Sequence, residues 1–141
     1  MKVTIRKLDI AVKQLETAID VFVDRGDYIC SITLAGAAEE ILGKLIERNG
    51  KHPSVDELCA SLILKYAPTA DAKHIRDQYL NKARNSLKHA NHVNEDEIEI
   101  EVEQEAMSMI IRALNNLVVL DRSAPYNVEK FFRVISDKGL W

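Results

Sequence analysis

The segment Asp27–Asn49, DYICSITLAGAAEEILGKLIERN, decides the fold. It contains no proline, and Gly26 before it and Gly50 after it let the chain turn at both ends. At its centre, Leu34-Ala35-Gly36-Ala37-Ala38 is small enough for another helix backbone to come close. This predicts a long helix at the middle of a helical bundle.

Working outward, Ile5, Leu8, Val12, Leu15, Ile19 and Phe22 recur at alternating intervals of three and four, one face of an amphipathic helix. Arg25-Gly26 ends that helix, with Gly26 free to take the left-handed cap conformation. Gly50 and Pro53 stop the second helix. Ser54-Val55-Asp56-Glu57 then has the form of a capping box, opening a third helix to Tyr66 before Pro68. A fourth helix is expected over 71–90, with Ile75, Tyr79, Ala83 and Leu87 facing the core. Between Val93 and Val102, Ile98, Ile100 and Val102 alternate with Glu97, Glu99 and Glu101. That pattern fits an extended segment, an acidic loop or an early start of the next helix. A fifth helix follows to about Asp121, with Ala106, Ile110, Ala113, Leu117 and Leu120 inward. After Pro125 a short helix over Val128–Ile135 brings Phe131, Phe132 and Trp141, which read as docking groups and not as a base-stacking platform. The expectation is an all-α, up-and-down bundle of four to five helices. It forms a single domain over 1–141, with 122–141 a C-terminal short helix and tail.

The chain's 141 residues suffice for one core without a metal or a disulfide. A net charge of -3 and a pI near 5.8 exclude a broad, sequence-independent grip on nucleic acid, so any such contact is local. Cys30 and Cys59 lack metal-type spacing and read as buried reduced thiols. The N-terminal segment lacks the layout of a signal peptide, and no apolar run reaches membrane-spanning length, which makes the expected location cytoplasmic.

The chemistry concentrates in Asn81-Lys82-Ala83-Arg84-Asn85-Ser86-Leu87-Lys88-His89-Ala90-Asn91-His92. On a regular helix Arg84 and His89 lie about 140° apart at opposite edges of the polar side. Asn81, Asn85, Lys88 and His92 sit between them. Asn85 and His89, at i and i+4, are placed for the amide to orient the imidazole. A guanidinium grips phosphate oxygens with two donors. A histidine takes a proton from an RNA 2′-hydroxyl or gives one to the leaving oxygen, and that route needs no metal or other cofactor. To meet at one phosphorus, Arg84 and His89 require either a bent helix or the same segment from a second subunit, hence a homodimer with a composite site. Lys82 and Lys88 are further phosphate-facing cations. His92 is positioned either to contact substrate or to satisfy the helix C-terminus. Glu39, on the flank of the second helix, wants a cation, and Arg84 is the candidate; Glu40 is placed to pair with Lys44. The acidic run Glu95–Glu105 reads as a solvated loop.

Arg84-Asn85-Ser86-Leu87-Lys88-His89 resembles the Arg-x(4–6)-His motif of the HEPN superfamily, including the polar residue directly after the arginine. Leu34 to Lys44 is similar to the second helix of some HEPN groups, where small residues lead into an acidic pair. The resemblance covers most of the chain and implies a HEPN-like helical bundle that dimerises. Its active members are metal-independent endoribonucleases of toxin–antitoxin, abortive-infection or RNA-processing systems; others are non-catalytic. The implied roles are Arg84 and His89 as catalytic residues, with Asn85, Lys88, His92 and Glu39 binding or orienting substrate. The implied partners are RNA or nucleotide, a second copy, and an antitoxin or nucleotidyltransferase. The alternative is a non-catalytic dimerisation module that binds nucleotide or a partner protein.

Overall fold

The computed structural model describes all residues except 67, 92 and 121, and every described regular element is helical. Helix α1 (Lys7–Asp20) widens into a π-helical turn at Val21–Arg25, and Gly26 comes next with φ 63°. Helix α2 (Tyr28–Arg48) begins after Asp27, whose carboxylate accepts from the Cys30 amide at 3.0 Å. Helix α3 spans Ser54–Tyr66 and α4 Ala72–Ile75; a second π-helical turn covers Arg76–Leu80, and α5 is Lys82–Ser86. Helices α6 (Val102–Val119) and α7 (Val128–Asp137) complete the chain.

The bundle is built on α2, which packs along α1 on one side and α6 on the other. Its small-residue stretch is buried, but what comes closest at Gly36 is the Arg84 side chain and not another helix backbone. Ala35, Gly36 and Ala38 are buried, and the Ser31 hydroxyl donates to the Ala18 carbonyl of α1 at 2.9 Å. Leu15, Ile19, Phe22, Ile32, Leu42, Met109, Ile110, Leu117, Phe131 and Ile135 fill the core between these helices. Helix α7 closes one end: Phe131 meets Phe22 edge-to-face at 5.4 Å, and Trp141 packs on Phe132 at 5.8 Å. No described helix is long and apolar enough to cross a membrane.

Several expectations are corrected. The capping box at Ser54 does not form; its hydroxyl donates to the Arg112 carbonyl at 3.0 Å and its amide to Asn116 Oδ1 at 2.8 Å. Tertiary partners on α6 have taken both groups. Cys30 is exposed, on the outward side of the first turn of α2, whose Ser31 faces α1, while Cys59 is buried. The single fourth helix over 71–90 is broken into α4, a π turn and α5. The widened turn puts Tyr79 out of phase with Ile75, leaving it 65% exposed. Asn81, at φ −111° and ψ 3°, then interrupts the helix and re-aims the residues after it. The 93–101 segment is irregular, and Ile100 packs against the core.

Candidate functional site

The break at Asn81 decides where the site residues go. Helix α5 turns Ala83 and Arg84 inward and ends at Ser86, so the Arg84–His89 spacing is not read on one continuous helix. Leu87 is the last apolar residue it packs; Ala90 and Asn91 are exposed, and no buried face sustains a further turn. His89 therefore stands past the helix end, exposed to solvent. His92 lies outside the described residues. No described hydrogen bond joins Asn85 to His89, since the i, i+4 geometry is lost with the helix.

Arg84 enters a buried polar seam. Its Nη1 donates to Glu39 Oε2 at 3.1 Å, the pairing expected from the placement of Glu39, and Glu40 comes within 3.9 Å. The arginine stem lies against Gly36, where any Cβ would sit 2.5 Å from Arg84 Cδ. That glycine makes the approach possible. A second guanidinium meets the same carboxylate, with Arg112 Nη2 donating to Glu39 Oε1 at 2.9 Å. Arg112 also donates to the Leu80 carbonyl and to Asn81 Oδ1, both at 2.8 Å. It thereby satisfies the backbone and side chain at the helix break. Asn116 Nδ2 donates to the Glu39 carbonyl at 3.3 Å, tying α2 to α6. Glu39, Arg84 and Arg112 are all nine-tenths buried or more, so the seam is a charge network with little water around it.

Two clefts adjoin the seam. The first, about 450 Å³, is lined by His89, Asn85, Lys82, Ser86, Asp77 and Glu95, among others. The second, about 200 Å³, is lined by Arg84, Glu39, Glu40, Lys44, Glu47, Arg76 and Asp77, among others. Asp77 borders both, and Arg84 and His89 open into different ones. Neither cleft carries an excess of fixed positive charge. In the first one lysine faces two carboxylates; in the second three cations face four. Lys88 is exposed and lines neither. Lys44 pairs with Glu47 at 2.8 Å rather than with Glu40, because Glu40 leans toward Arg84.

The sequence reading passed over Arg112 and Asn116 and placed Asn81 on the polar side. A signal existed: Met109, Arg112, Ala113 and Asn116 share the buried stripe of α6 at helical spacing, and two polar residues on such a stripe require buried partners. Nothing in local spacing revealed the π turn that buries Asn81. Comparison with protein-family models, with curated proteins and with solved structures finds no match to this chain.

Proposed function

We propose that this chain acts on RNA phosphodiesters as a HEPN-type, metal-independent endoribonuclease, with His89 as the proton-transfer group and a site completed by a second copy. One observation carries the reading: His89 is exposed at the end of α5 and shares a cleft of about 450 Å³ with Lys82, Asn85 and Ser86. That set supplies an imidazole, a cation and neutral donors, which is what attack by a 2′-hydroxyl on phosphorus requires. His89 takes the proton from the 2′-hydroxyl. The new O–P bond closes a 2′,3′-cyclic phosphate as the bond to the 5′-oxygen breaks, and the His89 imidazolium returns that proton to the leaving oxygen.

Arg84 has a different place in this reading from the one its motif suggests. It reaches a phosphate only by giving up Glu39, so within one chain we assign it to positioning. Through Glu39 it holds the α5 segment that presents Asn85 and His89. Cleavage of mixed RNA in the presence of chelator tests the proposal. His89→Ala is expected to lose at least about 100-fold in rate, and the products to end in cyclic phosphate. Equal rates for the two proteins would remove the mechanism.

The carboxylates in both clefts favour a second reading, a non-catalytic HEPN-like module binding a nucleotide or a partner such as an antitoxin or nucleotidyltransferase. Saturable RNA or nucleotide binding with no turnover, weakened by Lys82→Ala, selects it.

A further inference from the structure

We infer that this chain reads a guanine base beside the phosphate it cuts, with Tyr79 as the stacking face and Glu105 as the acceptor for the base edge. The place of that base in cleavage rests on the His89 reading above; the base site itself does not. A third cleft, of about 620 Å³, lies next to the one that holds His89. Gln78, Lys82 and Ser86, four residues apart along the π turn and α5, line both, and so does Ile98. A nucleotide with its phosphate between Lys82 and His89 thus has its base within reach of the third cleft. That cleft repels phosphate, because one lysine faces Glu97, Glu99, Glu101 and Glu105. An uncharged ring bearing N–H donors meets no such repulsion, and carboxylates accept from it.

The aromatic face comes from the helix break. On an unbroken helix Tyr79 would share the core face with Ile75. The π turn at Arg76–Leu80 swings it to the cleft instead, where it is 65% exposed. His74 meets it edge-to-face, with centroids 6.2 Å apart, and steadies the ring. Unpaired bases stack on aromatic side chains held in this way.

Glu105 selects which base. Of the four carboxylates it alone is half-buried; the other three are exposed. Among the described residues no hydrogen bond or ion pair reaches its side chain. Burial pushes its carboxyl up, against the opposing charge of Arg112. A carboxylate short of water is stabilised most by two donors side by side. Guanine presents that pair, N1–H and the 2-amino group, on its Watson–Crick edge. Adenine and cytosine set a ring-nitrogen acceptor beside their amino group, and uracil flanks its N–H with two carbonyls. Each of those three turns an acceptor toward the carboxylate.

Calorimetric titration of the full chain with nucleoside 5′-monophosphates tests the site with no bond to cut. The guanosine compound is expected to bind about tenfold or more tighter than those of adenosine, cytidine and uridine. The inosine compound, which lacks the 2-amino group, should fall in between, a comparison that needs no variant. Glu105→Gln, which removes the charge and one acceptor, should abolish the preference. Tyr79→Ala should weaken all of them about tenfold and leave the urea midpoint unchanged, since the side chain is exposed; Tyr79→Phe restores binding. Equal affinities, no binding at millimolar concentration, or a guanine preference that survives Glu105→Gln overturns the inference. In cleaved RNA, guanosine is expected at one fixed position beside the cut. Guanine-selective binding without cleavage would remove the His89 mechanism and leave the base site standing; cleavage indifferent to guanine would do the reverse.

Discussion

Gly36 and Arg84 meet so closely that the identity of each depends on the other. A methyl group at position 36 would overlap Arg84 Cδ and Cγ, at 2.5 and 2.7 Å. Gly36→Ala is therefore expected to destabilise the fold by about 1–3 kcal/mol. Arg84→Ala in the same chain should recover part of that loss, a coupling visible in urea midpoints of the two single variants and the double. The two arginines on Glu39 differ in weight. Arg112 supplies three hydrogen bonds, to Glu39, Leu80 and Asn81, whereas Arg84 supplies one. Arg112→Leu is expected to cost about 3–5 kcal/mol, because it leaves Asn81 and the Leu80 carbonyl buried without a donor. Arg84→Leu should cost less, since Glu39 keeps Arg112. Equal losses in denaturant titration would contradict this division. Of these residues, Glu39 and Arg84 were legible as a pair, because a carboxylate flanking an apolar face wants a cation. Arg112 was not, because its partners come from elements distant in sequence.

At the scale of elements, α7 and the π turn at Arg76–Leu80 show opposite relations to the sequence. Helix α7 was foreseen with its aromatic contacts, and polar clamps reinforce it. Lys138 donates to Glu103 and, at 2.9 Å, to Tyr28, while Tyr28 donates to Glu103 at 2.7 Å. The hydrogen bond from Lys138, with that from Tyr28 behind it, holds the Glu103 carboxyl below its ordinary range. The bond to Glu103, with Tyr28 second, pushes the Lys138 ammonium up to about 12. The signs set the window. The depressed Glu103 contributes above the ordinary glutamate range and loses its contribution as pH falls through its lowered value. The raised Lys138 contributes fully below the ordinary lysine range and fades as pH rises toward about 12. Trp141, packed on Phe132 beyond α7, reports this docking. Its fluorescence is expected to change at both acid and alkaline extremes in the native chain, and Lys138→Met should flatten the alkaline change. The π turn was invisible because Ile75, Tyr79, Ala83 and Leu87 fit an uninterrupted helix equally well. What breaks it is tertiary: Arg112 captures Leu80 and Asn81, and burying Arg84 against Glu39 rewards the shifted phase.

Over the whole molecule, a bundle centred on α2 carries one buried charge seam and two clefts that a single chain leaves without cationic excess. Leu42, at 0% exposure on α2, lies in the core of that bundle. Leu42→Ala is expected to cost about 2–5 kcal/mol in thermal or urea unfolding, without altering the residues at either cleft. The sequence by itself determined the helical class, the central place of α2 and the stop of the first helical run at Gly26. These come from local properties, namely the period of apolar residues, side-chain size and the backbone freedom of Gly26. Only the tertiary structure decided that the Arg84–Glu39 pair is buried and shared with Arg112, that His89 stands free past a helix end, and that Arg84 and His89 open into separate clefts. Those outcomes rest on side chains such as Arg112 and Asn116, which reach across the bundle from α6. Their energies come from burial and partner geometry, and the order of residues along one helix does not encode either.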